Sequence, residues 1–188
     1  SDPRGPCHAA HTIDVAAGMY IASALGTRAP NGGLEVYMDW QAANYNGTHV
    51  IRIYRPGNII TTGGPGVNLI SWYYHHMTVD GQPVLPVYID VDAQGAYIYS
   101  KASDTKYRMV NDYSQGLPVT DYAMIVLHYD EADGRYVLIN AGLSGYSGWT
   151  AAEWLATLPP MSGTAIILRF YDEQGDGIID TIEVVETV

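Results

Sequence analysis

Two apolar segments in the second half of the chain constrain the fold more than any other feature. Within Asp121–Gly142, DYAMIVLHYD and RYVLINAG flank the turn sequence EADG. Because both segments are short, rich in β-branched and aromatic residues and bounded by turn residues, they predict a β-hairpin. The second segment then runs into the glycine-rich sequence GLSGYSG and a helical pattern, which predicts a strand followed by a helix.

A strand, a glycine-rich loop and a helical pattern occur in this order twice. The first copy spans Asn58–Met77 and the second Tyr136–Leu158. In the first, Pro65 suits the first position of a helix, so we expect a buried helix over Pro65–Met77. Another helix is expected over Asp14–Leu25, where Gly26 would follow its last turn.

The second copy carries its own helix-start signals. Thr150 and Glu153 have the spacing of a capping box, and Trp149 and Trp154 that of a hydrophobic staple. These signals predict a helix over Thr150–Leu158, which the following prolines end.

The remaining apolar segments are typical of strands. Seven such segments alternate or lie between turn residues: LEVYMDW, THVIRIY, VLPVYIDVD, AYIYSKA, TKYRMVN, GTAIILRFY and IIDTIEVVE. Mixed crossover units and hairpins predict an α/β fold, a single domain with a mixed β-sheet flanked by about three helices. We place this domain at residues 12–188, after an irregular N-terminal arm over residues 1–11.

Length and charge limit the number of domains and the kinds of partner that the chain can have. A chain of 188 residues fits one domain. The net charge of −11 argues against nucleic acid as a partner. No apolar run reaches the roughly 18 residues of a membrane span, so no membrane insertion is expected.

The residues suited to metal binding near the N-terminus are few. Cys7, His8 and His11 lie close in sequence and supply at most three of the four ligands that zinc usually takes. His75 and His76 are expected to be polar tips of a core helix.

Asn46 begins the tripeptide Asn-Gly-Thr, a glycan acceptor if the protein is exported.

Two glycine-rich loops resemble ligand-binding motifs without matching them. Gly63–Asn68 lacks the lysine of a phosphate-binding loop and the third glycine of a dinucleotide loop. It predicts a tight turn between strand and helix, with an anion site as the alternative. GLSGYSG fails the nucleophile-elbow pattern at both Ser144 and Ser147, which favours a structural loop.

The segment YDEQGDGIIDTIE nearly spells a calcium-binding loop. Its oxygen-bearing residues fall at ligand positions around Gly177, and the predicted calcium ligands are Asp172, Gln174, Asp176 and Asp180. The flanking segments look like strands, however, which would draw Glu183 away from the loop. The alternative is a hairpin turn in which Gly175 and Gly177 supply positive φ angles.

Four stretches together resemble archaeal surface-layer (S-layer) type proteins. They are NIITTGGPGVNLISWYYH, YRMVNDYSQGLPVTDYAMIVL, YVLINAGLSGYSGWTAAEWLA and AIILRFYDEQGDGIIDTIEVVE. The resemblance covers roughly residues 12–188 and identifies the chain as a small secreted relative. It implies an extracellular or cell-surface location, self-association and no catalysis. The residues that it carries over as fold determinants are Gly63, Gly64, Pro65, Asn68, Ala141, Gly142, Gly145 and Trp154.

The expected function is therefore a secreted structural protein that assembles with itself into a lattice, tube or filament. We expect no enzyme, no catalytic residue and no cofactor other than calcium at the closing loop. The N-terminal arm Ser1–His11 is the expected contact to a neighbouring copy. Two alternatives stay open: a monomeric calcium- or glycan-binding module, and an enzyme that binds an anionic ligand at Gly63–Asn68.

Overall fold

The computed structural model describes residues 12–26, 35–45, 50–53, 56–157, 159 and 162–188. The helices within these residues are α1 (Thr12–Gly26), α2 (Asp39–Ala42), α3 (Leu69–His76) and α4 (Gly145–Ala156). The strands are β1 (Ala43–Tyr45), β2 (Val50–Ile53), β3 (Ile59–Thr62), β4 (Thr78–Val79), β5 (Gln82–Pro83), β6 (Val87–Asp92), β7 (Gly95–Ser100), β8 (Thr105–Tyr107), β9 (Val119–Asp130), β10 (Arg135–Gly142), β11 (Ala165–Asp172) and β12 (Thr181–Thr187).

A five-stranded mixed sheet organises the molecule, in the order β12-β11-β9-β10-β3. The predicted hairpin is confirmed, because β9 and β10 pair antiparallel from Asp130 opposite Arg135 to Ala123 opposite Gly142. β3 and β10 run parallel, whereas β11 pairs antiparallel with both β9 and β12. The α/β prediction of one domain with a mixed sheet and hairpins is confirmed.

Each face of this sheet buries its own apolar core. On the helix face, α1 and α4 cover side chains of β9 and β11, and the buried members are Ala17, Ile21, Ala123, Ile125, Ala151, Ala152, Leu155, Ile166, Leu168 and Phe170. The opposite face carries α3, the β1–β2 hairpin and a three-stranded sheet of β6, β7 and β8. The result is a layered α/β domain with the five-stranded sheet in the middle.

The C-terminal strand ties the layers together. Glu186 on β12 accepts hydrogen bonds from the hydroxyls of Ser100, Ser103 and Tyr107, at 2.6, 2.9 and 2.7 Å. Burial by itself raises the pKa of Glu186, but these donors outweigh it and hold the pKa below its usual value. The small sheet is thus attached to the edge of the large one.

Three local predictions are wrong. Residues 35–40, the described part of LEVYMDW, form no strand, because Asp39 begins the short helix α2 and its carboxylate bonds to backbone amides instead. α3 begins at Leu69 and not at Pro65, because the Asn68 side chain caps it there. α4 begins at Gly145, where Ser144 and Ser147 form the capping box.

The predicted capping box of α4 therefore lies inside the helix. Thr150 donates its hydroxyl to the Tyr146 carbonyl, one turn back, rather than to an amide at the helix start. Trp149 also lies inside α4 and so cannot precede its cap as the predicted staple requires. Its ring contacts Tyr20 of α1, with centroids 6.3 Å apart. Trp154 packs against the helix-face core.

Candidate functional site

The loop between β11 and β12 is organised around one buried carboxylate. Asp172 is fully buried, and its Oδ1 accepts hydrogen bonds from the amides of Gln174 and Gly175, at 3.0 and 2.6 Å. Its Oδ2 accepts a third from Gly177, at 2.7 Å. The loop backbone thus wraps around the Asp172 side chain.

The other predicted calcium ligands also bond to loop amides. Asp176 accepts from Ile178 at 2.9 Å and Asp180 from Glu173 at 2.7 Å, while Gln174 is exposed. Within the described parts of the chain, no three or more His, Cys, Asp or Glu side chains are grouped so that they could hold a metal ion. The calcium site stays a prediction, and β11 and β12 form the antiparallel pair that the turn interpretation expects.

Two glycines let this loop pack against its neighbours. Gly175 and Gly177 have φ angles of +67° and +86°, as the turn interpretation predicts. A Cβ on Gly175 would lie 2.2 Å from the Leu117 carbonyl oxygen, and one on Gly177 would lie 2.6 Å from the Tyr146 ring. Close packing and backbone conformation therefore both require glycine at these two positions.

The backbone amides that follow the loop Gly63–Asn68 already donate hydrogen bonds to oxygen atoms of the chain itself. The Asn68 Oδ1 accepts from the amides of Ile70 and Ser71, at 2.9 and 3.0 Å. The Leu69 amide donates to Asp39, at 2.7 Å. These contacts cap α3 from within the chain, which is the arrangement of a structural turn.

The Gly63–Asn68 turn lies at the end of two parallel strands, where open α/β sheets usually have a ligand-binding crevice. β3 and β10 are parallel neighbours, and the helices that follow them pack on opposite faces of the sheet. The first turn of α1 occupies this place, since a Cβ on Gly63 would lie 3.5 Å from the Asp14 carboxyl carbon and one on Gly145 would lie 2.8 Å from Ile13. α1 thus closes the crevice against a ligand.

The serines of GLSGYSG cap α4. Ser144 donates its hydroxyl to the buried Asp121 and accepts from the Ser147 amide. Tyr113 donates to the same Asp121 carboxylate, at 3.3 Å. Burial raises the pKa of Asp121, against the hydrogen bonds that it accepts. The prediction that this segment serves structure agrees with these contacts, although half of it is helix and not loop.

His75 is buried within α3 and lacks a partner on one ring nitrogen. Its Nδ1 donates to the Ser71 carbonyl, at 2.7 Å, and its Nε2 has no hydrogen-bond partner among the described residues. Burial lowers the pKa of His75 from 6.5 to about 4. His76 is exposed and stacks on Trp72, so only one of the two histidines is a polar tip.

We predict that His75 makes the protein acid-sensitive. Because the folded-state pKa is lowered, its stabilising contribution is complete above pH 6.5 and is lost as the pH falls to about 4. The loss amounts to about 3 kcal/mol for a shift of this size. Urea unfolding across this pH range should show a shallower acid slope for His75→Leu than for the wild type. The control His76→Leu should keep the wild-type slope, and equal slopes in all three proteins would contradict the prediction.

Several predicted residues lie outside the described residues. They are the N-terminal arm with Cys7, His8 and His11, and the glycan acceptor Asn46. Zinc binding, glycosylation and the role of the arm in assembly stay predictions.

An exposed apolar cluster lies on the helix face beside the β9–β10 turn. This hairpin patch consists of Ile60, Leu127, Tyr129 and Tyr136. Leu127, Tyr129 and Tyr136 are 44 to 51% exposed, and the two tyrosine rings are 4.9 Å apart. Ile60 and Leu127 flank Leu138 in the strand register, which makes the patch continuous across three strands. Sequence reasoning missed it, because the same apolar pattern continues into the buried part of these strands.

A second exposed apolar row follows the edge of the sheet. This edge strip consists of Ile182 and Val184 on β12, which are 40 and 46% exposed; Ile178, in the loop before β12, is 68% exposed. Among the described residues, β12 pairs only with β11, so its outer backbone groups face no strand. Exposed edges of this kind are ready to pair with another chain.

Comparison of the chain with family models, with curated proteins and with solved structures finds no match. None of the helices that the structure describes has both the length and the apolar character needed to cross a membrane.

Proposed function

We propose that this protein is a secreted structural protein of the archaeal cell surface that assembles with itself into a lattice, tube or filament. The resemblance to surface-layer type proteins supports the location and the class of function. The observation that carries self-assembly is the presence of two separate exposed apolar surfaces, the hairpin patch and the edge strip.

The two surfaces lie at opposite corners of the helix face. Ile182 pairs with Phe170, which pairs with Asp121 at the start of β9, whereas Tyr129 lies eight residues further along the same strand. At roughly 3.3 Å per residue the two corners are about 26 Å apart along the strand direction. A contact between two different surfaces does not close on itself as a two-fold dimer does, and so it allows an open polymer.

The composition of the patches supports burial by a second copy. Large exposed apolar patches mark interaction sites on soluble proteins. Tyrosine is enriched in such interfaces because its ring is apolar and its hydroxyl is polar. The hairpin patch supplies two adjacent tyrosines, and the edge strip supplies two aliphatic side chains.

Acidic residues flank both surfaces. Glu131 and Asp133 lie in the β9–β10 turn, and Asp180 and Glu183 lie beside the edge strip. At a net charge of −11, two copies repel each other at low ionic strength. We therefore expect assembly to strengthen as salt is added, because salt screens this repulsion.

Substitutions in the two surfaces test the proposal. Leu127→Thr with Tyr129→Thr disrupts the hairpin patch, and Ile182→Thr with Val184→Thr disrupts the edge strip; threonine keeps the strand propensity at these exposed positions. Either double variant alone should stay monomeric in light scattering, because a head-to-tail contact needs both surfaces. Mixed in equal amounts, the two variants should form one-to-one dimers, because each retains the surface that the other lacks.

A matched control is Val91→Thr, at an exposed valine on β6 outside both surfaces. It should assemble like the wild type. If both double variants also assemble normally, the two surfaces are not the contacts. If each variant forms dimers alone and mixing adds nothing, each surface pairs with itself and the head-to-tail arrangement is wrong.

A further inference from the structure

A cleft lined by side chains with polar groups opens on the other face of the sheet, at the end of the central strands. It has a volume of about 350 Å³, and its lining residues are Thr120, Arg169, Tyr171, Thr181 and Glu183. These residues point away from the helix-face core, because they alternate with Phe170 along β11 and with Ile182 along β12. The volume falls in the lower part of the range for small-molecule sites.

Three hydroxyl groups line up across the cleft. Thr120, Tyr171 and Thr181 are directly opposite one another on β9, β11 and β12. Because neighbouring strands are roughly 4.8 Å apart, this row spans about 10 Å, the length of a disaccharide. No described residue makes a hydrogen bond or ring contact with any of these three side chains.

The neighbouring row adds planar polar groups. Arg169 lies between Tyr122 and Glu183 in the register and forms an ion pair with Glu183. Tyr122 in turn packs against Tyr107 of the small sheet, with ring centroids 5.4 Å apart. A guanidinium and a carboxylate held side by side offer donors and acceptors to adjacent sugar hydroxyls.

The charges in the cleft favour a neutral ligand. Arg169 is the only Lys or Arg among its lining residues, and Glu183 neutralises it. The whole chain carries a net charge of −11, which repels anions. An acidic sugar or a phosphate would have to displace Glu183 from its partner.

We infer that this cleft binds a neutral carbohydrate of about two sugar units. The exposed ring of Tyr171 lies under an apolar face of the sugar, the threonine hydroxyls on either side bond to its hydroxyl groups, and Arg169 with Glu183 bonds to the second unit. Binding here does not depend on the proposed self-assembly, because the edge strip and the hairpin patch are on the opposite face of the sheet.

Saturation-transfer NMR on the sugar protons tests the inference in the monomer and in the assembly alike. The probes are the neutral disaccharides cellobiose, maltose, mannobiose and chitobiose, each at millimolar concentration, with glucuronic acid and glucose phosphate as anionic probes. We expect transfer to at least one neutral disaccharide and none to the anionic probes. Transfer to none of the neutral probes, or to the anionic probes alone, would overturn the inference.

Variants locate the binding. Tyr171→Ala should weaken binding of the responding disaccharide by about tenfold or more, which corresponds to about 1.4 kcal/mol. Thr120→Val removes one hydroxyl at nearly constant volume and should weaken binding less, with urea unfolding showing that both variants fold. Val91→Thr, on β6 and outside both the cleft and the two assembly surfaces, is the control and should bind like the wild type. Unchanged binding in both cleft variants would place the sugar elsewhere and overturn the assignment.

Discussion

Replacing Asp172 with alanine is expected to lower the free energy of unfolding by about 4 kcal/mol, because three loop amides lose a charged acceptor inside the protein. Each such amide costs roughly 1–3 kcal/mol when it is left without a partner, and the costs are not fully additive. The loop should also detach from Leu117 and Tyr146, against which Gly175 and Gly177 pack. Urea unfolding of the purified variant measures the loss.

The matched control is Asp176→Ala in the same loop. Asp176 accepts one amide hydrogen bond at an exposed position, so its loss should cost less than about 1 kcal/mol. Equal losses in the two variants would contradict the central role of Asp172. Repeating the unfolding with calcium tests the calcium prediction separately, since a bound ion would stabilise the wild type by an amount that rises with the logarithm of the calcium concentration.

Replacing Gly142 with alanine is expected to cost about 4 kcal/mol or more, or to prevent folding. A Cβ there would lie 2.3 Å from the Gly148 amide nitrogen and 2.6 Å from the Ser144 carbonyl oxygen. Both are backbone atoms of the turn that starts α4, so relief requires moving the helix away from β10. Thermal unfolding with circular dichroism should show a large drop in the midpoint.

Gly66→Ala is the matched control in the other turn between strand and helix. No heavy atom lies within 4 Å of a Cβ built on Gly66, and its φ angle is not positive. This variant should stay within about 0.5 kcal/mol of the wild type. If Gly142→Ala unfolds at the wild-type midpoint, the close approach of α4 to β10 is not a constraint on this fold.

The β9–β10 hairpin is predictable from the sequence because burial gives each of its strands a recognisable apolar pattern. β9 and β10 are each a short apolar run bounded by turn residues, and their pairing needs only the turn between them. The start of α4 was missed because Gly145 and Gly148 lie in its first turn, where glycine weakens any helical pattern. The Thr150–Glu153 spacing is then a chance match inside the helix.

Contacts between distant residues explain the other errors. The LEVYMDW pattern predicts a strand at Asp39, yet the carboxylate of Asp39 caps α3 at Leu69, thirty residues along the chain. No local sequence pattern indicates that Asp39 bonds to the amide of Leu69. The exposed surfaces could not be predicted from the sequence for the same reason, because Leu127 and Ile125 are similar aliphatic residues in the same apolar run. Only the packing of the helices decides that Ile125 is buried and Leu127 is exposed.

Sedimentation velocity of the wild-type chain, over a range of protein and salt concentrations, tests self-assembly most directly. The proposal predicts species that grow well beyond a dimer of the 20.5 kDa chain, that increase with protein concentration and with added salt, and that appear as regular particles by electron microscopy. A single monomeric species at every concentration, with and without salt and calcium, would contradict it.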